Sequence, residues 1–414
     1  MDTPAVKLVA RQPIFDQSQQ VFGYELLFRP DVAVNACERP KAEATLELIG
    51  DSLMLHELAA LVDNRRAFVN VTRADLLAGH ARYLPHEQVV IEVLESVEPD
   101  AEVLAALREL RRTGYTVALD DVTDPQRLEA FAGNVDIAKV DLSLSNRHRQ
   151  RQLLKVIKAL RIKAVAEKVE TKAEFRELAT LGFDFFQGYF FARPEVVQRR
   201  DAPAGGWSQL RLLQALHQAE FDINEVVLAI EQEPAFAYKL LRYLNSPTFG
   251  FRSDIHSIRH AITLLGEREV QRWVCIMSVS TMAGNGSPEV ALTAVRRAMF
   301  CEGLAGCGSM SLQRDKLFLV GLLSTLDSIL DRPRAEIVLQ LPLDPEIAAA
   351  LLSGESRMGA ALRLVEAYDC AHWNRVNELA GKLKLSDRDL LGGYRSALSR
   401  SQQILGDAAM APGS

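Results

Sequence analysis

Residues 115–141, YTVALDDVTDPQRLEAFAGNVDIAKVD, decide how the first half of the chain is read. YTVALDD (115–121) is a short apolar run that ends on two carboxylates, and DIAKVD (136–141) is another built around a lysine. Between them Asp120 and Asp121 precede a loop and a helix, a place where Asp also serves as a cap. The same kind of run recurs on both sides: VKLVA (6–10), VFGYELLF (21–28), RAFVNV (66–71), QVVIEV (88–93), KAVAEKV (163–169) and FDFFQGYFF (183–191). These are rich in Val, Ile, Phe and Tyr and bounded by Gly, Asp or Pro, as strands are. Residues 42–62, 100–114 and 149–163 instead repeat apolar side chains at three- and four-residue spacing, which predicts helices. Pro99 and Asp100 open the second of these and Gly114 closes it. Strands alternating with helices imply a mostly parallel sheet. Eight such runs before residue 195 suggest a sheet closed into an α/β barrel of the TIM type; a doubly wound open sheet is the competing arrangement, and periodicity does not separate the two.

Beyond the barrel region the pattern changes. EVVQRRDAPAGG (195–206) combines charge, Pro and a Gly pair and reads as a linker. Residues 208–219, 224–232, 235–245, 257–266, 268–283, 290–306 and 316–330 all carry helical periodicity. The expected organisation is a barrel over 1–195, a linker over 196–206, an all-α domain over 207–400 and a flexible tail over 401–414. Lys plus Arg number 48 and Asp plus Glu 54, a formal charge of −6, without the basic footprint of a DNA-coating protein. Five scattered cysteines with no CxxC pair argue against a disulfide framework or a structural zinc site. The N-terminus lacks the layout of a signal peptide, and no apolar run approaches the roughly 20 residues of a membrane span. A cytoplasmic protein with neither membrane nor DNA as partner is expected.

Nearly every strand candidate of the first half ends in a residue able to bind a metal or a phosphate: Glu25, Asn70, Glu92, Asp120 with Asp121, Lys139 and Glu167. From Asn70 onward the gaps are 22, 28, 19 and 28 residues, each one strand-plus-helix unit. In a parallel barrel the C-terminal strand ends share one rim, where active-site loops sit. Converging carboxylates there need a compensating charge. Hard divalent cations such as Mg²⁺, Mn²⁺ or Ca²⁺ accept an all-oxygen set, and two of them can clamp a phosphodiester. Taken singly, each acid is a solvated strand end or a cap, and Lys139 an outward side chain; the joint pattern is what points to chemistry.

These residues lie in segments that resemble the EAL family, which acts on cyclic di-GMP: QPIF (12–15), YELLFR (24–29), FVNVT (68–72), IEVLE (91–95), ALDDV (118–122), IAKVD (137–141), VAEKVET (165–171) and FQGYFF (186–191). The resemblance implies a modified TIM barrel whose first strand is antiparallel. It implies Glu25, Asn70, Glu92, Asp120 and Asp121 as ligands of two Mg²⁺ or Mn²⁺ ions. Lys139 and Glu167 would activate water, Arg29 and Gln187 would contact substrate, and Glu170 would brace the loop after Asp121. A homodimer is admitted by the same likeness. Three departures stand out. The signature Glu-Ala-Leu reads Glu25-Leu26-Leu27; the Phe-Gly-Thr-Gly loop reads Val122-Thr123-Asp124-Pro125; and Lys168, expected to pair with its neighbour Glu167, replaces a Gly.

The second half resembles the HDOD domain through FDINEVVLAIEQEPAFAYKLLRYLNSPTFGF (221–251), SIRHAITLLG (257–266) and FLVGLLSTLDSIL (318–330). Asn245-Ser246-Pro247 and Leu265-Gly266 are its most telling residues. Where the related HD hydrolases carry His-Asp, this chain has Ser324-Thr325, which cannot replace an imidazole and a carboxylate as ligands. His256 and His260, at i and i+4, lack a partner acid in the pattern, and RWVCIMSVSTM (272–282) reads as a buried helix. The resemblance thus implies a cyclic di-GMP signalling regulator. Its EAL module has weak or no turnover and works with a non-catalytic, protein-binding HDOD domain. The alternative is an active Mg²⁺- or Mn²⁺-dependent phosphodiesterase that yields linear pGpG. Without a working EAL site no cofactor is expected.

Overall fold

The computed structural model describes residues 8–29, 58–144 and 146–188 of the first half. In the second it describes short pieces between 227 and 245, then 255–283, 288–305, 307, 314–330, 332–341 and 343–409. The expected helix over 42–62, apart from residues 58–62, the linker and the helix over 208–219 lie outside these residues, as do Ser246 and Pro247.

Eight strands close into a barrel in sequence order: β1 (Val9–Asp16), β2 (Val21–Phe28), β3 (Arg66–Val71), β4 (Val89–Val93), β5 (Thr116–Leu119), β6 (Ile137–Asp141), β7 (Lys163–Glu167) and β8 (Phe185–Gln187). The open-sheet alternative is thereby excluded. Closure depends on β1, which pairs antiparallel with β2 on one side and with β8 on the other. The remaining neighbours are parallel. The β1–β2 turn is drawn tight by the Asp16 carboxylate, which accepts from the backbone N–H groups of Ser18 and Gln20. The barrel end of β8 is tied to the loop after β7, whose Val169 N–H donates to the Gln187 carbonyl at 3.0 Å. That approach is too close for a side chain: a Cβ on Gly188, whose φ is +145°, would stand 2.2 Å from the Val169 carbonyl oxygen.

Helices follow the parallel strands and start on capping side chains. They are α1 (Arg73–Ala78), α2 (Ala101–Arg112), α3 (Pro125–Ala130), α4 (Arg147–Ala159) and α5 (Lys172–Leu181). Thr72 and Asp75 form a reciprocal capping box at α1. Asp100, Asp124, Asn146 and Thr171 each accept a backbone N–H at the start of α2 to α5.

The described residues divide into two compact units, the barrel and a unit holding most of the helical residues from Val227 onward. The helices after residue 255 are α6 (Ile258–Leu265), α7 (Glu267–Met282), α8 (Pro288–Ala305), α9 (Arg314–Leu323), α10 (Leu326–Leu330), α11 (Arg334–Gln340), α12 (Pro345–Leu352), α13 (Arg357–Asp369), α14 (Trp373–Leu383) and α15 (Asp387–Ala409). The 272–282 stretch is a core helix as expected, with Trp273 to Val279 buried. One boundary is corrected: α15 runs to Ala409 instead of giving way to a tail at 401. Leu390, Tyr394, Ala397, Leu398, Ser401 and Ile404 are all buried, so the helix keeps one face against its unit well past residue 400. No helix of the described residues is long and apolar enough to cross a membrane.

Candidate functional site

The site follows from the two-residue period of a strand. Ile14, Phe68, Val90, Ala118, Ile137 and Val165 point into the barrel and form its buried core. Two residues further along their own strands stand Asn70, Glu92, Asp120, Lys139 and Glu167. The apolar plug of the barrel therefore carries a polar layer directly on its C-terminal side. Glu25 joins the layer from β2, in register with Gln12 of β1, and Gln187 joins it from β8.

Lys139 is the hub. It is 1% exposed, and its ammonium meets Glu25 at 3.3 Å, Asp120 at 3.1 Å and Glu167 at 2.9 Å, as well as Glu92. Gln187 Nε2 donates to Glu25 Oε2 at 2.6 Å and to Gln12 Oε1 at 3.2 Å. One buried cation cannot balance four carboxylates. Burial, followed by repulsion from Asp120 and Glu25, pushes Glu167 up to about 8 against the pull of Lys139. Glu92 is raised for the same reasons, burial first. Burial alone would lower Lys139, but the surrounding carboxylates outweigh it and hold the amine charged. Asp120 is held below its ordinary value although burial opposes this, because Lys139 and hydrogen bonds favour its anion. Asp121 rises to about 6 through burial and then through the charges of Asp120 and Asp141.

Four buried oxygens of this layer accept no hydrogen bond: Asn70 Oδ1, Glu92 Oε2, Glu167 Oε2 and Gln187 Oε1. Each such group costs about 1–3 kcal/mol when left unsatisfied. Two amide and two carboxyl oxygens make an all-oxygen set of the kind a hard divalent cation takes, and a bound cation would favour the ionised carboxyls, so Mg²⁺ or Mn²⁺ fits this residue set. Just outside, carboxylate oxygens of Glu95, Asp120 and Asp121 lie within 4.8 Å of one another. Reading one residue per strand end misses Glu95, which follows Glu92 by three positions in the loop after β4. It also misses Gln12, and Asp141, which the two-residue period from Lys139 would have placed on the inner face.

The rebuilt loop is well formed. Asp121 adopts a left-handed φ of +44°, a conformation Asp tolerates better than most residues. Val122 is fully buried, and its N–H donates to the Lys139 carbonyl at 2.8 Å. Asp124 caps α3, and Pro125 begins it with φ already set. Arg149 of α4 donates to the Thr123 carbonyl at 3.1 Å. Glu170, expected to brace this loop, is exposed, and its own N–H donates to Glu174. Arg29 is half-buried past the end of β2, where its N–H donates to the Leu8 carbonyl. Lys168 requires a correction: its ammonium binds Asp141 and not Glu167, because the Glu167 carboxylate turns inward to Lys139.

In the helical unit Ser324 and Thr325 are both buried, and the Ser324 hydroxyl donates to the Gly321 carbonyl at 2.7 Å. His256 and His260 face each other with ring centres 6.3 Å apart. Among the described residues no third potential ligand groups with them.

The EAL domain family matches residues 64–194 and the HDOD domain family residues 207–330. Cyclic di-GMP phosphodiesterase CdgJ of Vibrio cholerae is 32% identical over 406 residues, covering 97% of this chain and 94% of its own. The chain belongs to the EAL–HDOD family. A second EAL–HDOD-length relative is the uncharacterised YuxH of Bacillus subtilis, 32% identical over 91% of this chain and 93% of its own. Among solved structures, Klebsiella pneumoniae BlrP1 in its calcium and cyclic di-GMP complex is 23% identical. It covers 47% of this chain and 58% of that one with a TM-score of 0.38.

Proposed function

We propose that this EAL–HDOD chain is a cyclic di-GMP signalling regulator. Its barrel holds the dinucleotide through divalent cations with little turnover, and its helical unit contacts partner proteins. The observation that carries the reading is the Lys139-centred layer, in which the buried Asn70 Oδ1, Glu92 Oε2, Glu167 Oε2 and Gln187 Oε1 accept no hydrogen bond. Mg²⁺ or Mn²⁺ held by Asn70, Glu92, Asp120 and Asp121, with Glu25, would polarise a phosphodiester oxygen and lower the pKa of bound water. Lys139 keeps its proton among the carboxylates and so offers positive charge to a phosphate or an attacking oxygen. Gln187 and Arg29 are the donors proposed for the substrate. In hydrolysis the water oxygen forms a new bond to phosphorus, the ester bond to one ribose oxygen breaks, and that oxygen takes up a proton, leaving the linear dinucleotide.

Low turnover is supported by the loop after Asp121, where two glycines of the family pattern are replaced by a capped helix start, and by the added charge of Lys168. The relative named a phosphodiesterase, and the completeness of the donor layer, favour the second reading, an enzyme of ordinary rate. The helical unit's role in protein contacts is supported by Ser324 and Thr325, buried and unable to replace an imidazole and a carboxylate. The proposed setting is the cytoplasm.

The test uses the full chain with cyclic di-GMP and Mn²⁺, following binding by calorimetry and product by chromatography. Cation-dependent binding that Glu25→Ala or Lys139→Ala abolishes, with slow appearance of pGpG, is expected. Binding followed by rapid turnover selects the second reading. Absence of cation-dependent binding overturns both.

A further inference from the structure

Lys168 follows Glu167 with its backbone in the left-handed region at φ +55°, a conformation that an unbranched glycine adopts at far less strain. The strained position sends a cation to the mouth of the barrel. Its ammonium is bonded to Asp141 although the Lys168 side chain is 62% exposed, while the Asp141 side chain is wholly buried. Asp141 follows Lys139 by two residues on β6, so it belongs to the inward face of the rim. Its Oδ1 already accepts the N–H and the hydroxyl of Ser143, both at 2.7 Å. Lys168 takes Oδ2. A carboxylate placed at the rim therefore has both oxygens committed. The fields of Asp121 and Glu167 also act on Lys168, and Asp141 acts on Asp121. Asp121 belongs with Glu95 to a carboxylate group that shares Asp120 with the Lys139 layer.

We propose that Lys168 is a built-in counter-ion of the rim: it keeps Asp141 out of the cation donor set and lowers the divalent-cation affinity of the Glu95–Asp120–Asp121 group. This rests on the metal-binding reading of the site given above. A simple loop-tethering salt bridge would depend on the bond and be indifferent to the charge that faces the rim. A counter-ion role depends on the charge itself. Removing the ammonium has two effects of the same sign, since it deletes a repelling cation and frees an attracting anion.

The experiment is a Mn²⁺ titration of the full chain without nucleotide, read by calorimetry and by the loss of the free-ion Mn²⁺ spin-resonance signal. Lys168→Asn is neutral and tolerates the left-handed backbone, Lys168→Arg keeps the charge, and Lys168→Gly relaxes the backbone. The Asn and Gly variants are expected to bind Mn²⁺ about tenfold more tightly and the Arg variant as wild type does. Adding Asp141→Asn to Lys168→Asn should return the affinity toward wild type. If wild type binds Mn²⁺ and the Asn variant matches it, the counter-ion role is overturned while the metal reading stands. If Gly tightens binding while Asn does not, backbone relief is the cause, and if Arg tightens binding as Asn does, the charge is not; either result overturns the role. If no variant binds Mn²⁺, the metal reading itself fails and this inference with it.

Discussion

Replacing Lys139 by Met would leave Glu25, Glu92, Asp120 and Glu167 buried around an apolar side chain. Breaking a buried ion network by removing one partner costs about 3–5 kcal/mol, so urea unfolding should show a loss of that order, together with loss of dinucleotide binding. Asn70 sets the opposite test. Its Oδ1 is buried without a donor, so Asn70→Leu should leave cation-free stability unchanged or raise it by about 1 kcal/mol, while weakening Mn²⁺ binding. A stability loss paired with unchanged Mn²⁺ affinity would mark Asn70 as structural. Asn70, Glu92, Asp120, Lys139 and Glu167 were legible in the sequence because they recur at the end of apolar runs at a spacing of one strand-plus-helix unit. Glu25 ends no such regular interval, and Gln187 was implied by the resemblance alone. Glu95, Gln12 and Asp141 were not picked out, because a loop residue, a residue on the antiparallel strand and a second inward position all fall outside a rule of one residue per strand end.

The loop from Val122 to Pro125 shows how a departure from a family pattern becomes an element of its own. Asp124 supplies the cap and Pro125 the first helical φ of α3, which fixes the chain three residues after Asp121. Asp124→Ala should cost about 1 kcal/mol of stability and also weaken Mn²⁺ binding, since Asp121 holds a left-handed φ next to the freed segment. At the opposite end of the barrel, Asp184 precedes β8. It accepts the Ala164 N–H at 2.9 Å and pairs with Lys158 and Lys163, each at 2.8 Å. Burial pushes its pKa up, but these partners together hold it below the ordinary carboxylate value. Because the folded pKa is depressed, this stabilisation is present above about pH 4 and is lost as the pH falls through the folded value. Asp184→Ala should therefore lower stability by about 1–2 kcal/mol at neutral pH, and the gap from wild type should narrow in denaturant titrations below about pH 4. Element type was readable from local period and caps. Closure was suggested by the number of runs and implied by the resemblance, but local period did not decide it, because it depends on β1 meeting β8 across the whole barrel sequence.

The whole chain joins a barrel whose polar layer holds unsatisfied oxygens to a helical unit with a different residue pair at the position compared with the HD hydrolases. At Ser324 and Thr325 the helical unit buries two hydroxyls where a metal pair would need an imidazole and a carboxylate. Three residues earlier the backbones of α8 and α9 nearly touch. A Cβ on Gly321 would stand 2.5 Å from the Arg297 carbonyl oxygen and 2.7 Å from the Ala298 Cα. Backbone atoms cannot yield as a side-chain tip can, so Gly321→Ala must separate the two helices and should destabilise the helical unit by about 1–3 kcal/mol. If cations and dinucleotide are held by barrel residues alone, the Gly321→Ala chain should still bind Mn²⁺ and cyclic di-GMP with wild-type affinity below its unfolding temperature. Saturation at roughly 100 times the dissociation constant should also add about 2.7 kcal/mol to the barrel's stability. Hydrogen exchange read by mass spectrometry separates the two effects: faster exchange in α8 and α9 from the substitution, slower exchange at the ends of β3 to β7 from the ligands. Loss of ligand protection in the barrel of this variant would instead mean that the helical unit helps to form the binding site, against the placement of every donor named above.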